Sequence, residues 1–261
     1  MSLQPRDLPD HFLARGRYAF TLVEAAAELG TTPSATRKAL ARLQQRRELF
    51  SPTKGLYVAV PSEYRSWGVL PGDWFIEEMM RHLDRPYYIA LLSAARIHGA
   101  SHQAPQIFQV MTAGAPLRDR DLARVRVRFY TSKHVTEDKT EQITVPTGYA
   151  TVSAKETTVV DLLTHYRAAA GYGNVATIVT EIGELNGAEL ARVTSRRGRA
   201  AARRTGWFVE RFGKVDELEA LRQAARLDVG EPTPLDPAGP KRGKTDSAWQ
   251  VRLNTEVEPD L

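Results

Sequence analysis

Between Thr21 and Val60 the chain reads TLVEAAAELGTTPSATRKALARLQQRRELFSPTKGLYVAV. Its apolar positions fall at helical spacing twice and then alternate. Leu22, Ala25, Ala26 and Leu29 mark one face of a first helix. Thr21 with Glu24 three residues later is a capping-box start, and Gly30 can take the left-handed conformation that closes the helix. Thr32 then serves as N-cap, with Pro33 at the first helical position, where its missing N–H costs nothing. In the second helix Thr36, Leu40, Leu43 and Arg47 share a face with Ala39 beside them, so Ser34, Ala35, Arg37 and Lys38 point outward near its start. Glu48–Phe50 and Leu56–Val60, joined around Pro52–Gly55, read as a hairpin. Residues 8–15 add a short helix through Leu8, Phe12 and Leu13, and Tyr18–Phe20 a small strand that pairs with the hairpin. The pattern predicts a winged helix-turn-helix whose second helix enters a major groove.

Pro61 and Ser62 end this first unit. Beyond them Asp73–Leu83 predicts an amphipathic helix with Trp74, Ile76, Met79, Met80 and Leu83 apolar. YYIALLSAARIHGASH follows as a strongly apolar helix ended by Gly99, the expected spine of a domain. Gln106–Thr112 and Arg124–Thr131 alternate as strands. In the latter Val125, Val127 and Phe129 face one way, and Arg124, Arg126 and Arg128 form a wet side. Ile143–Val145 and Tyr149–Val152 add short strands. Ser153 and Glu156 give a second capping-box signal for a helix reaching Tyr166. Gly171–Asn174 is expected to break the chain, and short helical patterns continue to about Arg226. Residues 231–246, with four prolines and two glycines, read as a linker or extended arm. Trp249–Asn254 regains strand alternation and is expected to rejoin the second domain's sheet. The class is α+β: an N-terminal winged helix over 1–61 and a mixed α/β domain over 62–261, with no internal repeat.

Composition adds limits. The hydrophobic fraction of 42% and charged fraction of 26% are those of an ordinary soluble protein. No apolar run approaches membrane-span length, and MSLQPRDLPDH lacks the apolar core of a signal peptide. The absence of cysteine removes disulfide and thiolate chemistry and fits a cytoplasmic setting.

Charge changes the picture more. The net charge is +5, and it is concentrated. Thr32–Gly55 holds six basic residues against Glu48, and Ser195–Lys214 holds seven against Glu210. In the first segment Ser34, Ala35, Arg37 and Lys38 are candidates for base edges or nearby phosphates, and Arg42, Arg46 and Lys54 for the DNA backbone. Arg37 could read a guanine bidentately, a contact worth about 1–3 kcal/mol of discrimination. The bland alternative is that each is a solvated helix charge. The second cluster, Arg196, Arg197, Arg199, Arg203 and Arg204, could extend a DNA footprint, bind RNA, meet an acidic protein face, or simply be solvated.

Enzyme signatures fail one by one. His98 and His102 are four apart, but Gly99 stands where a zincin needs glutamate. Gly171-Tyr172-Gly173 lacks the third glycine of a dinucleotide loop and follows a helix. There is no phosphate loop and no GxSxG elbow. A metal-dependent nuclease would want carboxylates on its strands, yet QIFQVMT and RVRVRFYT carry none, and Lys155, Glu156 and Asp161 lie on a helix. No catalytic residue, metal or cofactor is expected. A DNA-targeted nuclease and a ligand-sensing regulator stand as alternatives.

From Asp84 to Leu163 the chain resembles the AbiEi antitoxins of the AbiE abortive-infection, or type IV, toxin–antitoxin systems. The residues that carry this are Leu91–Ala95 with His98–Gly99 (LLSAA-x-x-HG) and Ala104–Val110, where Ala104–Pro105 stands for the more common Gln-Pro. Thr158, Asp161 and Leu162 of a Thr-x-x-Asp-Leu helix follow, with WQVRLN and EPDL at the C-terminus. The resemblance implies a winged helix that binds inverted repeats at its own promoter and represses the operon. It also implies a C-terminal domain that counteracts a nucleotidyltransferase toxin without a stable complex. The family carries no catalytic residues to transfer.

Overall fold

The computed structural model describes residues 3–100, 106–228 and 230–260. His102, Ala104, Pro105 and Leu261, named above, lie outside the described residues. The chain divides into two compact units that alternate along the sequence. Residues 1–88, 106–136 and 142–151 form the first, and 89–105, 137–141 and 152–261 the second. Among the described residues no helix is long and apolar enough to cross a membrane.

In the first unit α1 (Leu8–Leu13), β1 (Ala19–Thr21), α2 (Leu22–Leu29), α3 (Pro33–Gln45), β2 (Leu49–Thr53) and β3 (Leu56–Ala59) follow one another. Thr21 and Glu24 form the expected capping box, each side chain meeting the other's backbone N–H. Gly30 closes α2 at φ 61°, and the Thr32 hydroxyl accepts from the Ala35 N–H ahead of Pro33. β3 pairs antiparallel with both β1 and β2. Leu8, Phe12, Phe20, Ala25, Leu29, Leu40, Leu43, Leu49 and Ala59 make one core, with Phe12 and Phe20 stacked at 4.2 Å. Three helices and a three-stranded sheet around this core form an α/β region consistent with a winged-helix fold. Arg47 departs from its expected place on the α3 face: the helix stops at Gln45, and Arg47 sits at φ 60°. There its N–H and that of Glu48 close the last turn on Gln44 and Leu43.

The same unit holds α4 (Gly72–His82), with Phe75, Ile76, Met79 and Met80 buried. A Cβ at Gly72 would run into the Phe108 ring, so glycine is what lets the ring lie against the backbone. The apolar stretch after Pro86 is not one helix. Tyr87–Ile89 is a strand, β4, and α5, already part of the second unit, begins at Leu91 and ends at Ile97, with Gly99 in the left-handed region as expected. Strand formers Tyr87, Tyr88 and Ile89 prevail there over the helical reading. β5 (Ile107–Thr112) pairs parallel with β7 (Val125–Thr131), and β6 (Arg120–Leu122) antiparallel with β7. β8 (Thr140–Val145) and β9 (Gly148–Ser153) complete the strands of this stretch.

In the second unit Ile89 pairs with Val152 in parallel register. Helices α6 (Lys155–Thr164), α7 (Tyr172–Glu181), α8 (Gly187–Arg197), α9 (Arg199–Phe212) and α10 (Glu219–Ala225) follow, with the two-residue strands β10 (Glu184–Leu185) and β11 (Lys214–Val215) paired between them. The expected Ser153–Glu156 capping box is absent. Ala154 is the N-cap, the Ser153 hydroxyl bonds Ile89 O and Thr158, and the buried Glu156 accepts from Asn186 N–H instead. The break expected over Gly171–Asn174 shrinks to Gly171 at φ 98°, directly ahead of α7. The Pro/Gly segment is not a free arm. It contributes β12 (Thr233–Pro234) and β13 (Lys244–Asp246) to a separate three-stranded sheet with the closing strand β14 (Val251–Leu253). The C-terminal strand joins that small sheet and pairs with neither β4 nor β9.

Candidate nucleic-acid interface

α3 spans 13 residues, about 20 Å at 1.5 Å per residue, enough to cross a groove. Its buried side, Thr36, Leu40 and Leu43, fixes which residues face out. At 3.6 residues per turn, Ser34, Lys38, Ala41 and Gln45 then form the outermost ridge. Arg37 and Gln44 flank it on one side, Ala35 and Arg42 on the other, and all eight are exposed. Small residues on the ridge let the backbone approach a partner closely. The start of the helix is pinned by Thr31 and Thr36 hydroxyls 2.8 Å apart and by Thr36 Oγ1 donating to Thr32 O at 2.9 Å.

The hairpin tip is as well defined. Thr53 pairs with Leu56, leaving Lys54 and Gly55, the latter at φ 86°, as a two-residue turn. His82 Nε2 lies 3.1 Å from Lys54 O, and Arg120 Nε donates to Pro52 O at 3.1 Å. These two braces hold the exposed Lys54 in place. Sequence reading missed both because they join residues far apart in the chain. It also missed Gln45, which the i, i+4, i+7 spacing from Lys38 could have found.

Arg37, Lys38, Arg42, Arg46 and Lys54 are all exposed, and none has an intramolecular ion pair or side-chain hydrogen bond among the described residues. Unspent cations on one helix and one hairpin tip suit a polyanion. The arginines elsewhere contrast with them. Arg15 and Arg17 pair with Glu28 and Glu24, and Arg128 of the expected wet strand face pairs with Asp119 and Asp121.

Most of the second basic cluster has partners inside its own unit. Arg196 and Arg197 pair with the buried Asp138 at 2.9 and 2.6 Å, and Arg197 also with Asp161 at 2.8 Å. Arg203 is fully buried and donates to the carbonyls of Ala225, Arg226 and Glu231, the first two at the end of α10. Arg204 donates to Pro234 O, and Arg199 is half-buried. These carboxylates and carbonyls supply the hydrogen bonds that buried guanidiniums need. Burial pushes the Asp138 carboxyl up, and the hydrogen bonds and charges of Arg197 and Arg196 outweigh it, leaving it below its ordinary value. Burial, then the Arg197 charge, lowers His165.

His98 is a satisfied end-of-helix histidine, its Nε2 2.7 Å from Ser153 O. Among the described residues no three His, Asp or Glu side chains converge as a metal would need.

The geometry defines a two-unit α/β protein whose N-terminal region carries an exposed basic helix and hairpin. An AbiEi-type antitoxin domain is matched over residues 88–211, by the family described as AbiEi antitoxin C-terminal domain. Among solved structures the RV2827C protein from Mycobacterium tuberculosis is similar at a TM-score of 0.65 with 14% sequence identity, covering 94% of this chain and 89% of that one. That likeness is one of fold. No curated protein sequence matches the chain.

Proposed function

We propose that the chain is the antitoxin and autorepressor of a type IV toxin–antitoxin operon. In this reading α2 and α3 are a helix-turn-helix and β2–β3 its wing. Ser34, Ala35, Arg37 and Lys38 meet base edges and nearby phosphates at inverted repeats in the chain's own promoter. Arg42, Arg46 and Lys54 meet the DNA backbone. The domain within 62–261 counteracts a nucleotidyltransferase toxin without a stable complex, and neither part is catalytic. The observation that carries the reading is the antitoxin-domain match on the same chain as five exposed cations on α3, its C-cap and the hairpin, none with an ion pair or side-chain hydrogen bond among the described residues.

The experiment is a gel shift with the DNA upstream of the chain's own operon. Specific binding that weakens steeply with salt is expected. Arg37→Ala with Lys38→Ala should abolish it with the thermal melt unchanged. Full affinity retained in that double variant would remove α3 as the reader. Co-expression with the neighbouring nucleotidyltransferase, scored by growth, tests the antitoxin half.

A further inference from the structure

Beyond the C-terminal end of α3 lies a cleft of about 410 Å³ in the first unit, lined by Gln44, Arg47, Phe50, Trp67 and Arg124 among others, with no acidic side chain in its wall. The volume falls in the range of small-ligand sites, about 300–1,000 Å³. Trp67 is one of few large hydrophobic residues left exposed, at 41%. The Arg124 guanidinium sits 5.6 Å from its ring centroid and has no carboxylate partner among the described residues. Among the described residues the Arg47 guanidinium bonds Ser66 O alone, at 3.2 Å, which leaves most of its five N–H donors available. Its aliphatic stem lies across Gly68, where a Cβ would come within 3.2 Å of it. The left-handed conformation that closes α3 at Arg47 sets where that stem begins.

Two guanidiniums with no carboxylate partner among the described residues and a part-exposed indole match one chemistry: a planar ring joined to an anion. Indole and guanidinium planes both accept a stacked base, and a guanidinium fork grips a phosphate. We propose that this cleft binds a free nucleoside phosphate, its base against Trp67 and its phosphate between Arg47 and Arg124.

The test titrates the full chain with AMP, GMP, GTP and inorganic phosphate by calorimetry. Nucleotide binding is expected, with inorganic phosphate at least about tenfold weaker. Trp67→Ala and Arg124→Ala should each weaken the nucleotide about tenfold, and Trp67→Phe should keep it, all with unchanged melting temperature because both side chains are exposed. Arg37→Ala with Lys38→Ala should leave it untouched, so failure of the DNA proposal and failure of this one are separable. No heat at millimolar nucleotide, or equal binding by Trp67→Ala, overturns the proposal. So does a DNA footprint shortened by Arg124→Ala in a chain that takes no free nucleotide, since flanking DNA would then be the occupant.

Discussion

Asp138 shows how much one side chain can decide. It is 6% exposed and takes hydrogen bonds from Arg196 and twice from Arg197. Removing its charge leaves Arg197 the Asp161 carboxylate and the Val193 carbonyl. Breaking a buried pair costs about 3–5 kcal/mol, and the surviving Asp161 contact places Asp138→Asn near the lower end, about 3 kcal/mol, measurable by urea unfolding at pH 7. The pH dependence has a definite sign. A carboxyl held below its ordinary value of 3.8 contributes stability that is present above that pH and lost as pH falls through the lower folded value. His165, lowered from 6.5, acts in the same direction: the unfolded chain binds its proton first, so stability declines as pH drops below 6.5. Unfolding free energy should therefore fall in two windows on acidification. His165→Gln should flatten the upper window and Asp138→Asn the lower. A profile flat from pH 7 to 5 in the unaltered chain would contradict the histidine part.

Elements are held together by single positions that local pattern does not reveal. Gly206 lies inside α9, where glycine costs about 1 kcal/mol relative to alanine, so Gly206→Ala would stabilise an isolated helix. Here the added Cβ would overlap the six-membered ring of Trp249, which is fully buried and tied by its indole N–H to Glu210 at 2.7 Å. Overpacking costs about 1–3 kcal/mol, more than the helix gain where the obstacle is a ring fixed on its far side. Gly206→Ala should lower stability by about 2 kcal/mol in thermal or urea unfolding. Neutral or raised stability would mean that Trp249 yields. This contact also shows what could be read from the chain alone. The Thr21–Glu24 box, the Gly30 closure and the Thr32–Pro33 start were legible because cap, helix and stop lie within a few residues. Ser153–Glu156 presented the same letters but formed no box, because Ile89, Thr158 and Asn186, remote in sequence except for Thr158, claim its oxygens. Tyr87–Ile89 was hidden by the helix-like run after it. The residues facing out of α3 were legible from period 3.6, whereas the His82 and Arg120 braces and the internal pairing of Arg196–Arg204 depend on long-range contacts.

At the scale of the whole molecule, the expected boundary at residue 61 cuts the chain once, whereas the compact units interleave, residues 106–136 and 142–151 grouping with the N-terminal region. Contacts between residues far apart in the chain are the physical reason: Phe108 lies against Gly72, Thr112 Oγ1 donates to Pro86 O and Arg120 Nε to Pro52 O, and Thr147 Oγ1 donates to Trp74 O. The proposed function assigns two jobs to one chain, and they should separate by mutation. Deleting one cation that neutralises a phosphate lowers the slope of log affinity against log salt by about 0.9. Lys54→Ala at the hairpin tip should therefore weaken promoter binding for all sequences and reduce the slope by about 1. Arg37→Ala should cost about 1–3 kcal/mol chiefly on the cognate site, relaxing discrimination between promoter and unrelated DNA. These side chains belong to no ion pair among the described residues, so neither change should alter the melt. Carried into cells, Arg37→Ala with Lys38→Ala should release repression of the operon while still rescuing growth from the neighbouring toxin, because the matched antitoxin domain begins at residue 88. Reporter expression and growth read the two outcomes independently. Loss of rescue in a variant that still folds would mean that DNA binding is part of neutralisation, and the assignment of the two jobs to separate parts of the chain would fall.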